Sequence, residues 1–325
     1  LFGAISGSAV ATTSAIGSFM LPEMKKAGYE PNFSAAVTAA ASTTGMLIPP
    51  SNILIVYAIA SGGVSIAALF MAGYIPGIMV GLALMLVCFI YAKMKGYPLS
   101  PRLPIKVVVE KTIAALPSLF LIFLVIGGIV GGVFTATEAG AIAVVYSLLL
   151  AVVFYKEVDA KALPDIFLKA AETTAIVMLL IAASTAMSWL LSFENIPQTL
   201  SNALLSISDN PLLILLLINL LLIVVGAFLD MTPAVLIFTP IFLPVALELG
   251  MSELQFGIML VLNLSIGLCS PPVGAVLFIT CAIAKTKLEN IIRPLIPLYV
   301  AMFVVLMLVT YVAWFSEALP RALGF

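Results

Sequence analysis

Residues 21–28 read Leu21-Pro22-Glu23-Met24-Lys25-Lys26-Ala27-Gly28, and residues 45–52 read Gly45-Met46-Leu47-Ile48-Pro49-Pro50-Ser51-Asn52. Farther on, residues 243–250 read Leu243-Pro244-Val245-Ala246-Leu247-Glu248-Leu249-Gly250, and residues 267–274 read Gly267-Leu268-Cys269-Ser270-Pro271-Pro272-Val273-Gly274. The Leu-Pro pairs, the glycines Gly28/Gly250 and Gly45/Gly267, and the Pro-Pro pairs all recur at one offset of 222 residues, without a gap. Glycine and proline set backbone shape rather than side-chain chemistry. A backbone break that recurs inside an apolar chain is the pattern expected of a transporter binding site.

The apolar context follows from composition. The 325 residues are 63% hydrophobic and 9% charged, with a mean hydropathy of +1.26. A soluble domain cannot bury that much apolar surface. Runs such as 66–91, 212–229 and 295–315 reach the ~20 residues that cross about 30 Å of hydrocarbon. An all-α polytopic membrane protein is expected. Cys88, Cys269 and Cys281 lie in apolar stretches and read as small core residues. The chain has no His, which removes the usual zinc ligand and imidazole base. It opens inside an apolar run, with neither Met nor a basic leader, so helices are expected before residue 1.

Polar punctuation divides the chain. Residues 1–21 are apolar. Residues 33–60 form a helix broken at Ile48-Pro49-Pro50, and 66–91 a clean span. After a Pro-rich loop over 93–111, residues 112–155 suffice for two crossings that turn near Thr135–Gly140. Residues 156–169 resemble an amphipathic surface helix, 171–192 a span and 193–210 a polar loop. Residues 211–249 are a span or a hairpin turning near Asp230, 255–284 a second broken helix, and 295–315 a last span.

With 211–249 as a re-entrant hairpin, thirteen of the fourteen Lys and Arg residues fall on one side and Arg321 alone on the other. That side is cytoplasmic by the positive-inside rule. Gly28 then lies inside and Gly250 outside, so the repeats run in opposite directions across the membrane.

Each Pro-Pro pair removes two backbone donors and leaves free carbonyls at membrane depth. Unpaired groups there survive only against protein, water or ligand. Hydroxyls and amides gather at both breaks: Ser42, Thr43, Thr44, Ser51 and Asn52 at the first, Asn263, Ser265 and Ser270 at the second. Such residues also serve simply to pack helices. Their duplication favours a binding site. Asp230 is an acid at membrane depth within a repeat, able to bind a cation, carry a proton or pair with a hydroxyl. Glu138 reads as capping a helix that starts near Ala139.

These residues resemble a known family. Gly3-Ala4-Ile5-Ser6-Gly7-Ser8-Ala9-Val10-Ala11, Pro22 through Tyr29, Ala39-Ala40-Ala41-Ser42-Thr43-Thr44-Gly45 and Ile48-Pro49-Pro50-Ser51 are similar to the large membrane subunit of tripartite ATP-independent periplasmic (TRAP) transporters. So are Gly132 through Ala139 (with Ala136 where the family often has Pro), Asp230-Met231-Thr232-Pro233-Ala234 and Ser270 through Gly274. The resemblance covers the full length.

It implies an inverted-repeat, elevator-type transporter with two re-entrant hairpins, two broken helices and a scaffold domain. Residues 1–62 and 211–290 would form the transport domain. Residues 63–210 would form the scaffold and connecting helices, and 291–325 a C-terminal transmembrane helix. It implies sodium bound at Ser6, Ser8, Gly45, Ile48 and Pro50, and again at Gly226, Asp230, Gly267, Ser270 and Val273. Substrate would lie near Thr12, Thr13, Thr43, Thr44, Ser51 and Asn52. The implied partners are a small membrane subunit, a periplasmic substrate-binding protein and an organic acid such as a dicarboxylate or sialic acid, in the bacterial inner membrane. No nucleic acid, organic cofactor or transition metal is expected. Proton coupling is the alternative. An intramembrane enzyme is disfavoured, since a nucleophile would lack its His and only one acid lies deep in the repeats.

Overall fold

Ser8 opens the first helix, α1 (Ala9–Lys26), its hydroxyl oxygen accepting the Ala11 amide at 3.3 Å. Lys25 and Lys26 close it where cations suit the helix dipole. The computed structural model describes residues 8–97, 104–196, 199, 203 and 210–325, and all regular structure among them is helical. Proline begins α2 (Pro31–Thr43), which tightens into a short 3-10 turn at Thr44–Met46 before the chain leaves helix. Helix resumes as α3 (Asn52–Ala60) and α4 (Ile66–Lys95). Next come α5 (Ile105–Val130), α6 (Ala136–Leu148, prolonged as a π-helix over Leu149–Phe154) and α7 (Leu163–Phe193). The remainder is α8 (Pro211–Phe228), α9 (Met231–Glu248), α10 (Glu253–Leu268), α11 (Ala275–Ala284), α12 (Leu288–Tyr311) and α13 (Trp314–Ala322).

Seven helical stretches among the described residues are long and apolar enough to cross a membrane, by length and composition. Both broken helices fall where the prolines put them, and 105–154 is indeed two helices. The polar stretch 156–169 divides differently: Ala160–Ala162 is a 3-10 turn, and Leu163 already starts the 31-residue α7. The last long helix starts at Leu288 and tolerates both Pro294 and Pro297. Glu138 sits one turn inside α6 rather than at its cap. Thr135 is the cap, and the two exchange side-chain and backbone bonds in a capping box.

The 222-residue offset extends to the elements. Ala9 and Met231 start α1 and α9, Pro31 and Glu253 start α2 and α10, and Ile66 and Leu288 start α4 and α12. Gly28 and Gly250, with φ of 84° and 86°, turn the chain at the equivalent corners. The contacts between the copies are reciprocal: α1 packs on α11 as α9 packs on α3, and α2 packs on α12 as α10 packs on α4. Even single bonds follow the offset. Glu30, the cap of α2, meets Lys95 at 3.2 Å, and Ser252, the cap of α10, donates to Glu317. Residues 30 and 252, and 95 and 317, are again 222 apart.

By internal contacts the chain forms two compact units, Leu1–Pro98 with Ile181–Phe325, and Leu99–Leu180. The first contains both repeats, and α4 and α12 fall in it. At its centre α10 is buried on every side from Gln255 to Leu268. Alanines 35, 36, 39 and 40 give α2 a surface that neighbouring backbones can approach closely. Buried amides join the helices: Asn263 Nδ2 donates to Asn219 Oδ1 at 2.8 Å, and Gln255 Nε2 to Thr310 O at 2.9 Å. Ser184 donates to Leu236 O at 2.7 Å, the carbonyl that Pro240 deprives of its helical partner. In the second unit, α6 is tied to α5 by the Tyr146 hydroxyl on Pro117 O at 2.9 Å. Side chains such as Phe123 and Val133 are exposed there, as lipid contact requires.

Candidate functional site

Two interruptions in the first unit form the candidate site. At the first, the amides of Leu47 and Ile48 both turn back to Thr44 O, at 3.2 and 3.3 Å. Ser51 Oγ donates to Met46 O. At the second, the amides of Cys269 and Ser270 turn back to Ile266 O and Gly267 O at 3.1 and 2.7 Å. Both Pro-Pro bonds, Pro49–Pro50 and Pro271–Pro272, are cis. The carbonyls of Ile48, Pro50, Ser270 and Val273 accept no backbone hydrogen bond among the described residues. Neither α3 nor α11 has a side-chain cap, so each half-helix presents its first-turn amides to the break.

The structure brings some of the expected residues into contact. Thr13 donates to Ser42 Oγ at 2.7 Å, and Ser42 donates to Ala39 O at 2.7 Å, which locks α1 to α2 within a buried pair. Thr12 donates to Ser8 O, and Thr43 and Thr44 donate to Ala40 O and Ala41 O at 2.8 Å. With their protons turned onto the backbone, these hydroxyls present lone pairs, which suits a cation. Anion donors are the amides at the start of α3 and the exposed Asn52 side chain.

Gly226 and Gly267 meet backbone to backbone. A Cβ on Gly267 would stand 2.5 Å from the Gly226 Cα, so no side chain fits there. That contact sets the end of α8 against the end of α10, just before the second break. Leu229 and Asp230 separate α8 from α9. Asp230 caps α9 through its carbonyl, with the Ala234 amide at 3.1 Å, while its carboxylate is exposed and makes no capping bond. It occupies the position of Ser8 in the other copy. Ser270 Oγ donates to Ile266 O at 2.9 Å. Ser6 lies outside the described residues.

The copies differ in chemistry where they agree in shape. Positions 12 and 13 are threonine in the first, but their counterparts are Ala234 and the buried Val235. Hydroxyls therefore crowd one side. Several supporting residues escape local pattern reading. Cys269 Sγ, read as core, contacts Ala39 O at 3.4 Å and so joins the two broken helices. Gly73 and Gly77 of α4 admit the Leu47 carbonyl and the Ile48 side chain, which a Cβ would overlap at 2.2 and 2.4 Å. Their Gly-x-x-x-Gly spacing is the signal that marks such a groove.

The model of the tripartite ATP-independent periplasmic transporter DctM component matches residues 1–315. The chain belongs to this family of TRAP transporter large membrane subunits. It is 50% identical over 320 residues to the uncharacterized protein YgiK of Salmonella typhimurium, covering 98% of this chain and 73% of that protein. It is 38% identical to the C4-dicarboxylate TRAP transporter large permease protein DctM of Pseudomonas aeruginosa, over 100% of this chain and 76% of that protein. It is 37% identical to the sialic acid TRAP transporter large permease protein SiaM of Vibrio cholerae, over 99% and 75%. This TRAP subunit is thus a multi-pass protein of the bacterial inner membrane, and a permease rather than an enzyme.

Proposed function

We propose that this TRAP subunit carries an organic acid anion across the inner membrane, coupled to sodium entry, by an elevator movement. The acid is a dicarboxylate or a sugar acid. The observation that carries the reading is the pair of proline breaks 222 residues apart, embedded in helices whose mutual contacts are reciprocal. Two copies inverted across the membrane, one opening to each side, suit alternating access. The lysine-rich ends of α1, α4 and α11 define the inner face.

Free carbonyls and hydroxyl lone pairs make a donor set for a hard cation such as sodium. One sodium is assigned to Ser6, Ser8, Gly45, Ile48 and Pro50, and a second to Gly226, Asp230, Gly267, Ser270 and Val273. Bound sodium supplies positive charge beside the breaks. The anion lies against Thr12, Thr13, Thr43, Thr44, Ser51 and Asn52, held by the first-turn amides of α3. No Lys or Arg stands at the breaks, so substrate affinity depends on these groups. The repeats, 1–62 and 211–290, move against a scaffold formed by the helices of 63–210. A small membrane subunit binds the scaffold, and a periplasmic binding protein delivers the acid.

Reconstitution of the complete transporter in liposomes tests this. Uptake is expected to require an inward sodium gradient and to fall at least about tenfold in Asp230→Asn, the loss of about 1.4 kcal/mol of binding. The exposed Asp230 carboxylate also fits proton coupling. Uptake driven by a pH gradient without sodium would support that alternative and overturn the sodium reading.

A further inference from the structure

We propose a second anion site at the lysine-rich face, in the cavity between Lys25 and Lys285, that takes a carboxylate of the released acid. Its side and ligand rest on the transport reading above. The cavity measures about 300 Å³, the lower range of small-molecule sites. It is lined by Leu21, Lys25, Pro31, Ser34, Ile283 and Lys285, where the ends of α1 and α11 meet the start of α2. The N-terminus of α2 opens at its rim and adds positive potential.

Its two lysines have no carboxylate partner among the described residues. Two of the neighbouring acids are engaged elsewhere. Glu23 pairs with Lys26 at 2.7 Å, and Glu30 is held by Tyr91 at 2.6 Å and Lys95 at 3.2 Å. Glu289, in the first turn of α12, forms no ion pair.

The repeat provides an internal control. The offset that carries Leu21-Pro22 onto Leu243-Pro244 carries Lys25 onto Leu247, Lys285 onto Gly63, Ser34 onto Phe256 and Pro31 onto Glu253. The frame is kept, while the cations and the small polar wall are found in one copy only. Lys285 is also costly where it stands. It ends α11 at φ 52°, and its counterpart Gly63 has φ 112°. Glycine is the usual residue at such a helix end. A charge needed only for membrane orientation fits any nearby loop position. A side chain kept in the left-handed region beside a cavity points to a use for its ammonium group at that place.

The test uses the complete transporter in nanodiscs, open on both faces, with a water-soluble lysine-acylating reagent and mass spectrometry of each lysine. The probe is succinate in phosphatidylcholine discs, with inorganic phosphate and phosphatidylglycerol discs as separate arms. Succinate is expected to slow acylation of Lys25 and Lys285 severalfold and to leave Lys93 and Lys95 unchanged. Lys285→Gln should abolish protection of Lys25, and Lys285→Arg should preserve it. Protection should persist in Asp230→Asn, so failure of sodium-coupled uptake and failure of this site are read separately. Equal slowing at every lysine, protection as strong from phosphate, protection by phosphatidylglycerol alone, or none at all would each overturn the proposal.

Discussion

Gly267→Ala is the substitution whose consequence the structure specifies most closely. Its new Cβ would stand 2.5 Å from Gly226 Cα, 2.6 Å from the Gly226 carbonyl carbon and 3.0 Å from its oxygen. All are backbone atoms, so no side chain can rotate away. Restoring ordinary contact requires the ends of α8 and α10 to part by about 1 Å, an overpacking that costs typically 1–3 kcal/mol. Replacing glycine within a helix returns about 1 kcal/mol, leaving a net loss of about 0–2 kcal/mol. The displacement falls on the segment leading to Asp230. Sodium dependence of uptake should therefore suffer along with stability, with the half-saturating concentration raised about tenfold, equivalent to ~1.4 kcal/mol. Gly226→Ala, whose nearest atoms lie at 3.1–3.3 Å, should show a milder shift. Gly81→Ala, with nothing within 4 Å, should show none. Sodium titration of uptake in proteoliposomes, with melting temperatures of the purified proteins, separates the three. Wild-type sodium dependence in Gly267→Ala would refute the claim that this backbone contact positions a cation site.

Other outcomes follow from single bonds. Thr13→Val removes a buried donor to Ser42 and should lower stability by about 1–3 kcal/mol while weakening substrate uptake, measured by thermal unfolding and transport. Ser184→Ala strands the Leu236 carbonyl beside Pro240, and a loss of about 1 kcal/mol is expected in the same melts. The Tyr91 hydroxyl, with help from Lys95 and against partial burial, holds the Glu30 carboxyl below its usual value of 4.5. A lowered carboxyl stabilises the fold above the unfolded pKa and ceases to as pH falls through the folded one. The melting difference between wild type and Glu30→Gln should therefore be present at about pH 6 and shrink toward about pH 3.

The breaks were legible because glycine and proline act locally: Pro49-Pro50 and Pro271-Pro272 end a helix wherever it lies. The start of α12 was placed too late because the charges over 285–293 read as a connection between spans. The helix instead starts at Leu288 and takes in Glu289, Arg293, Pro294 and Pro297. The polar stretch 156–169 suggested a separate surface helix, but Leu163 already begins α7, whose first three turns carry Asp165, Lys169 and Glu172. Thr13 with Ser42, Gly226 with Gly267 and Cys269 with Ala39 join residues far apart in sequence. No periodicity announces such partners. Gly226 and Gly267 were nevertheless among the expected site residues, because the family resemblance carried what spacing alone did not.

The central claim is that the two copies face opposite sides of the membrane. Cysteines placed at the equivalent corners Ala27 and Leu249, in a background with Cys88, Cys269 and Cys281 replaced, test it with an impermeant thiol reagent added to intact cells freed of their outer membrane. Leu249→Cys should react from outside, and Ala27→Cys only after permeabilisation. Labelling of both from the same side would contradict the inverted arrangement and the transport mechanism built on it.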